Sequence, residues 1–395
     1  MSDPLDVIVT DDNLIQRTYL LRVIEKLGYR TFEAEDGDDA LELIAKTGAQ
    51  ILITDYRMPK MDGIELTRRV REMALDHYVH IILVTGSEED EVRRDALAAG
   101  ADDFLGKGRE IAPLQARLGA ASRLIHHARE LAEQHRILKE ANARIHADLT
   151  AAARAQRQLL PDLHTDVLGM RIASAFVPSA VVSGDMFGCV PLDETRVGFY
   201  AVDVSGHGIH ASLLSVAIGH LITRDYFANT VLRDGESPDP AALVFELNQR
   251  FSVSDNDDYF TMFCGVLDCA SGRLDYCQAA YPSPHRIPAD GGEVAPIGDG
   301  GFPVGMFPGL SYDNNATQFQ PGDRLVICSD AAIEAETPEN DAFGTERLRD
   351  TIQTARTNGT DALPETIVAA LMNWRDGAPL EDDLTVVALE RKVMG

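Results

Sequence analysis

The sequence predicts a multidomain chain. A doubly wound α/β domain with a parallel five-stranded sheet comes first, then a long helix with a coiled-coil seam, then an α+β domain of packed antiparallel sheets flanked by helices. Three observations lead there. Over residues 1–111, five short apolar runs alternate with amphipathic segments. Over 112–160, helix formers dominate and apolar residues recur every seven positions. Over 161–395, short strand-like runs outnumber helical stretches.

In the first segment the runs are LDVIV, YRTFEA, AQILIT, HIILVT and ADDFL, with helical periods near 13–27, 37–47, 63–73 and 88–99. Sheets of this kind place their active site at the C-terminal ends of the strands. Asp11, Asp12, Asp55, Thr85 and Lys107 stand at those ends. Three clustered carboxylates repel one another unless a cation sits among them, and hard oxygen ligands suit Mg²⁺. A carboxylate beside Mg²⁺ and a lysine can accept a phosphoryl group, because both cations neutralise the transferring oxygens. Read blandly, the three aspartates cap helices.

The motifs IVTDDN, ILITDYRMPKMDG, ILVTG and DDFLGKG span residues 1 to about 120, and the segment resembles a receiver domain of a two-component response regulator. The resemblance implies that Asp55 is the phosphoacceptor. Asp12 would ligate Mg²⁺, with Asp11 beside it and the backbone carbonyl of Arg57 as a further ligand. Thr85 and Lys107 would contact the phosphoryl group, and Phe104 stands at the family's aromatic switch position. Gly108 replaces the proline that usually follows the lysine, so the usual cis peptide is not expected.

Between Ala112 and Leu160 one rail carries Leu124, Leu131, Leu138, Ile145, Ala152 and Leu159. The positions four further on are Ala128, His135, Asn142, Leu149 and Gln156. Such a seam must be buried somewhere. The favoured reading is a parallel coiled-coil homodimer through 112–160, with Asn142 fixing register. The other is an amphipathic helix lying along a neighbouring domain.

After Pro161 the strand-like runs are MRIASAFV, RVGFYAVDV, FTMFCGVLD, GRLDYCQAA, DRLVICSD and DLTVVALE, with helical stretches near 209–227, 239–252, 345–356 and 363–375. Asp185, Asp203, Asp330 and Asp382–Asp383 mark strand ends. Strand-end carboxylates from four distant segments need solvent or metal to coexist. An all-carboxylate set favours Mg²⁺ or Mn²⁺ over zinc.

This half, from about 160 to 392, resembles the metal-dependent, protein phosphatase 2C-like phosphatases of the bacterial sporulation and stress-response branch. The resemblance rests on the ARAQRQLLP lead-in, DVSGHG, LNQRF, FTMFCGVLD, the SD at 329–330 and the DD at 382–383. It implies that Asp203 bridges two Mn²⁺ or Mg²⁺ ions with the carbonyl of Val204 also a ligand. Asp185 would support one ion, Asp330 and Asp382 the other, with Asp383 ranked second. The chain departs from the family at Gly188, where relatives carry a second acid, at Ala280-Tyr281, where Gly-His is usual, and at Ala331, where Gly is typical. His207 reads either as a proton donor or as a turn residue.

Composition bounds the function. Net charge is -27, from 63 acidic and 36 basic residues, which disfavours nucleic acid as the main partner. Residues 110–160 are locally basic, which reads as solvated flanks of the seam. The five cysteines show no CxxC pattern, and neither a signal-peptide pattern nor a membrane-spanning apolar run is expected. The expected protein is cytoplasmic and engages no membrane. It would be a response regulator phosphorylated by a sensor histidine kinase, whose output is dephosphorylation of phosphoserine or phosphothreonine on a regulatory protein such as an anti-sigma-factor antagonist. The rival is a binding adaptor with a degenerate phosphatase domain.

Overall fold

The computed structural model describes residues 4–86, 90–108, 110–162, 164–206, 208–232, 237–252 and 258–392. The chain forms two compact units, Met1–Asn142 and Ala143–Gly395.

The first unit runs β1 (Asp6–Thr10), α1 (Leu14–Lys26), β2 (Arg30–Ala34), α2 (Gly37–Thr47), β3 (Ile51–Asp55), α3 (Gly63–Glu72), β4 (His80–Thr85), α4 (Asp90–Ala98), β5 (Asp103–Gly106) and the start of α5 (Ile111–Arg157). The strands form a parallel sheet in the order β2-β1-β3-β4-β5. Strands β1, β3 and β4 are buried along their whole length, as central strands covered on both faces must be. Side chains of Asn13, Asp36 and Asp62 accept backbone N–H groups at the starts of α1, α2 and α3, which sets where each helix begins.

Helix α5 is not a free connector from residue 112. Leu114, Leu118, Ala121 and Ile125 pack into the core with Val7, Val9, Ile53 and Ile82. Beyond that turn the seam emerges: Leu124, Leu131, Leu138 and Ile145 are each more than half exposed.

The second unit takes the last turns of α5. It continues through β6 (His164–Val167), β7 (Met170–Val177), β8 (Met186–Pro191), β9 (Arg196–Val204), α6 (Ile209–Leu221), α7 (Arg224–Val231), α8 (Pro240–Phe251) and β10 (Phe260–Asp268). There follow β11 (Arg273–Ala279), β12 (His285–Ile287), β13 (Ala295–Pro296), β14 (Asn315–Gln318), β15 (Arg324–Cys328), α9 (Ala331–Glu334), α10 (Gly344–Ala355), α11 (Leu363–Trp374) and β16 (Leu384–Arg391). Two antiparallel sheets result, ordered β14-β11-β10-β9-β8 and β13-β12-β15-β16-β7-β6.

The layering follows from strand alternation. Val197, Phe199 and Ala201 of β9 meet Ile327, Val387 and Leu389 of β15 and β16 in the core between the sheets. The alternate residues Tyr200, Val202 and Val204 pack beneath α6, α7 and α8. On the far side, Val386 and Ala388 pack beneath α9, α10 and α11. The single helix expected over 209–227 is two helices, because the Thr223 side chain accepts the N–H of Tyr226 and starts a new one.

Candidate phosphoacceptor crevice and carboxylate centre

In the first unit, β1, β3, β4 and β5 deliver the predicted residues to one end of the sheet. Asp11, Asp12 and Asp55 each offer a carboxylate oxygen within 4.8 Å of the others. Lys107 Nζ lies 2.7 Å from Asp55 Oδ2, so a cation already neutralises the buried carboxylate. Asp55 Oδ1 accepts the N–H of Tyr56 at 2.9 Å. Asp12, Asp55, Arg57, Gly86 and Lys107 line a crevice of about 380 Å³. Burial raises the Asp11 carboxyl, opposed by the N–H of Asn13, and the Asp55 charge raises it further. Asp11 Oδ2 is buried without a hydrogen-bond partner, a lone oxygen that a hard cation fits.

Thr85 ends β4 at the same edge and is buried. Gly63 cannot be replaced, since a Cβ there would lie 2.3 Å from the Asp55 carbonyl. Phe104 is half-buried against Ile64 and Ala96, with the Arg93 guanidinium 4.2 Å from its ring centre. The described peptide bonds are all trans, and the Lys107–Asp55 contact forms with Gly108 in place.

In the second unit, strand pairing gathers the acids. Asp185 precedes β8, which pairs Met186 with Val202, one residue from Asp203. Asp330 follows β15, which pairs Cys328 with Val386, close to Asp382. Two acids from each sheet therefore share one end of the sandwich. Among the described residues, no Lys or Arg forms an ion pair with any of the four.

The titration of these groups records that lack of a counter-charge. Burial raises the Asp203 carboxyl to about 8, reinforced by the charges of Asp330 and Asp382. Burial and then the charge of Asp382 raise Asp330 to about 6, and the Asp330 carboxyl lies against that of Asp203. Asp185 is raised well above the carboxylate range by burial and then by Asp203. Its Oδ2 accepts the Thr385 hydroxyl at 2.7 Å, while Oδ1 is buried without a partner. Divalent cations suit this set: they would supply the positive charge and take the orphan oxygen. No three of these acids bring oxygens within 4.8 Å of one another, so the set is looser than the first crevice. The Val204 carbonyl lies close to Gly184, where an added Cβ would stand 3.1 Å from it.

Asp383 has a different task. Its Oδ1 accepts the N–H and the hydroxyl of Ser179 at 2.7 and 3.0 Å, and its Oδ2 accepts the N–H of Gly184 at 2.8 Å. It braces the loop that carries Asp185. Sequence reasoning missed Thr385 and Ser183, the polar partners of Asp185; a hydroxyl two residues from an acid was the available signal.

The departures have local explanations. A side chain at Gly188 would meet the Tyr200 ring at 2.5 Å, so the aromatic ring occupies the place of the absent acid. Tyr281 is fully buried with its hydroxyl unpartnered. Ala280 sits at φ 57, the left-handed region that suits the usual glycine. Ala331 begins α9. His207 lies outside the described residues.

Each unit matches a known family. The family model for the response regulator receiver domain matches residues 7–119, and that for stage II sporulation protein E matches residues 193–392, half of the chain. Protein IcfG of Synechocystis is 26% identical over 62% of this chain and 41% of its own length. The phosphoserine phosphatase RsbP of Bacillus subtilis is 25% identical over 56% of this chain and 53% of its own. The chain thus spans about half or less of these relatives. Among solved structures, the SiaA-PP2C domain of Pseudomonas aeruginosa superposes with a TM-score of 0.53 at 22% identity, covering 63% of this chain and 98% of that one. No described helix is long and apolar enough to cross a membrane. The chain belongs to the stage II sporulation protein E family of PP2C-type phosphatases and carries a response regulator receiver domain in its N-terminal part.

Proposed function

We propose that the chain is a response regulator whose output is metal-dependent hydrolysis of phosphoserine or phosphothreonine on a regulatory protein such as an anti-sigma-factor antagonist, a phosphoserine substrate being in line with the phosphoserine phosphatase RsbP. The observation that carries this reading is the buried Asp185 with the half-buried Asp203 and Asp330, all three with carboxyls raised above the ordinary range, beside Asp382 and without a described counter-charge.

Asp55 receives the phosphoryl group from a sensor histidine kinase. Lys107 and Thr85 take the charge of the transferred oxygens, and Asp11, Asp12 and the carbonyl of Arg57 hold Mg²⁺. In the second unit, Asp185, Asp203, the carbonyl of Val204, Asp330 and Asp382 hold two Mn²⁺ or Mg²⁺. When bound, such ions lower the pKa of water and neutralise the phosphate oxygens. Asp203 and Asp330, whose carboxyls burial and mutual charge raise, would have to be ionised to hold such ions. Thr385 and Asp383 keep the Asp185 side aligned, and the interior of the sandwich excludes bulk water behind it. The exposed seam of α5 joins two copies as a coiled coil.

The test is hydrolysis of p-nitrophenyl phosphate by the full chain. The reading expects turnover that requires Mn²⁺ or Mg²⁺ and is lost on chelation. Stoichiometric binding of an antagonist protein without turnover would instead identify an adaptor.

A further inference from the structure

The last turn of α5 makes a polar contact that a coiled-coil position has no need of. Gln156 is 3% exposed. Its Nε2 donates to the Ser183 carbonyl at 2.6 Å and lies 2.9 Å from Ser215 Oγ. Its Oε1 accepts the Ser183 N–H at 3.2 Å. The amide thus pairs with both backbone groups of Ser183, much as a neighbouring strand would. Ser183 needs that, since β8 begins only at Met186 and no ladder reaches it.

Ser183 is tied directly to the acid. Its Oγ accepts the N–H of Asp185 at 3.0 Å. Ser215, the other partner of Gln156, sits on α6, the helix that follows the Asp203 loop. On the opposite side, Asp383 holds Gly184 and Thr385 holds Asp185 Oδ2. The segment 183–185 is therefore gripped between the sheet edge and the end of α5. Leu159 and Leu160, just past the helix, pack on the same cores and fix where that end lies.

We propose that Gln156 is a positioning residue for metal binding: by pairing with the Ser183 backbone, it holds Asp185 so that its unpartnered Oδ1 would be available to a cation. The inference rests on the metal-phosphatase reading. Groups that orient a metal ligand through a hydrogen bond affect affinity more than their distance from the ion suggests, by about 10–100-fold when removed. Gln156 acts one step further out, through the backbone that carries the ligand.

The experiment uses the full chain carrying Asp12→Ala, so that the first crevice takes up no metal. Mn²⁺ affinity is read by calorimetry and stability by thermal melting. Asp203→Asn must abolish Mn²⁺ uptake; if it does not, the metal reading fails, independently of Gln156. Given that control, Gln156→Met, which keeps length and removes all three hydrogen bonds, should weaken Mn²⁺ binding about 10-fold or more. At saturating Mn²⁺ its KM for p-nitrophenyl phosphate should match the parent. Leu159→Ala loosens the same helix end without touching Ser183 and should lower the melting temperature while leaving Mn²⁺ affinity unchanged. Unchanged affinity in Gln156→Met, or an equal loss in Leu159→Ala, overturns the proposal. If Gln156→Met does not fold, Gln156→Glu, which keeps the acceptor for the Ser183 N–H, is read instead, and parental affinity there overturns it equally.

Discussion

The two acidic centres handle the same electrostatic problem in opposite ways. In the first unit three carboxylates crowd within 4.8 Å, yet Lys107 stands 2.7 Å from Asp55 and supplies a positive charge from the chain itself. In the second unit the acids are spaced more widely, but burial lifts Asp203 to about 8 and no described cation answers it. A crevice with its own counter-charge is suited to receive and keep a phosphoryl group on one carboxylate. A buried set that must import its positive charge is suited to bind ions and act through them. On the proposed reading, one chain pairs a site for covalent storage with a site for turnover.

The contrast can be broken first at Asp203. Asp203→Asn should abolish phosphatase activity, a loss beyond the roughly 10–100-fold cost of an outer-shell change, because a bridging ligand is removed. Circular dichroism should show the fold retained, because the carboxyl is replaced by a neutral amide of the same shape. Turnover equal to wild type would place the chemistry elsewhere.

The matching change in the first unit is Asp55→Ala. With acetyl phosphate and Mg²⁺, Phos-tag electrophoresis of wild type should give one shifted band, and the variant none. A band that survives means another acceptor exists.

The seam of α5 is the next point of attack. Leu131 and Leu138 are 68% and 60% exposed, and each would gain about 1.5–3 kcal/mol by burial in a coiled coil. Leu131→Asp with Leu138→Asp should therefore turn a dimer into a monomer in sedimentation velocity, with the phosphatase unit still folded. A wild-type chain that sediments as a monomer removes the coiled coil from the account.

The electrostatic difference also predicts a pH dependence. The folded pKa of Asp203 lies above its ordinary value of 3.8, at about 8, so between these values the folded chain binds more protons than the unfolded one. The contribution of Asp203 to stability in chelator is then fully present below about pH 4 and is lost as pH rises through about 8, so it is read as the difference between wild type and Asp203→Asn. Asp330, raised to about 6, adds to the lower part of that slope. Asp203→Asn should flatten the decline, and saturating Mn²⁺ should offset it. A wild-type melting temperature that rises relative to Asp203→Asn over this interval in chelator contradicts the assignment.

The smallest expected effect concerns Ala280, held at φ 57. Relief of left-handed strain, partly offset by the greater unfolded freedom of glycine, should make Ala280→Gly more stable by about 0.5–1 kcal/mol. Chemical denaturation would register it, and a loss of stability would show that the Ala280 methyl contributes packing that outweighs the strain.

Most strand ends were legible in the sequence, because apolar periods and terminal aspartates coincide there. Asp11, Asp55, Asp203 and Asp330 were found that way. What was not legible depends on partners distant in sequence. Gln156 falls at a heptad position, and only the meeting with Ser183 shows that it faces a core. The bracing role of Asp383 depends on Ser179 and Gly184, some 200 residues away. The missing acid at Gly188 reads as a defect until the Tyr200 ring across the strand pair is seen. The split after Leu221 did have a local signal, the capping Thr223, which the apolar pattern on both sides concealed. Likewise, Leu114 and Leu118 belong to the first core by packing, although their spacing continues into the seam.

The central claim is that phosphorylation at the first centre governs turnover at the second. The most direct measurement is the steady-state rate of p-nitrophenyl phosphate hydrolysis by the full chain in Mn²⁺, with and without beryllofluoride. A coupling of about 1–3 kcal/mol corresponds to a rate change of roughly 5–150-fold if it is fully expressed in the rate. The account predicts such a change in wild type and none in Asp55→Ala; rates that respond in neither protein, or equally in both, contradict it.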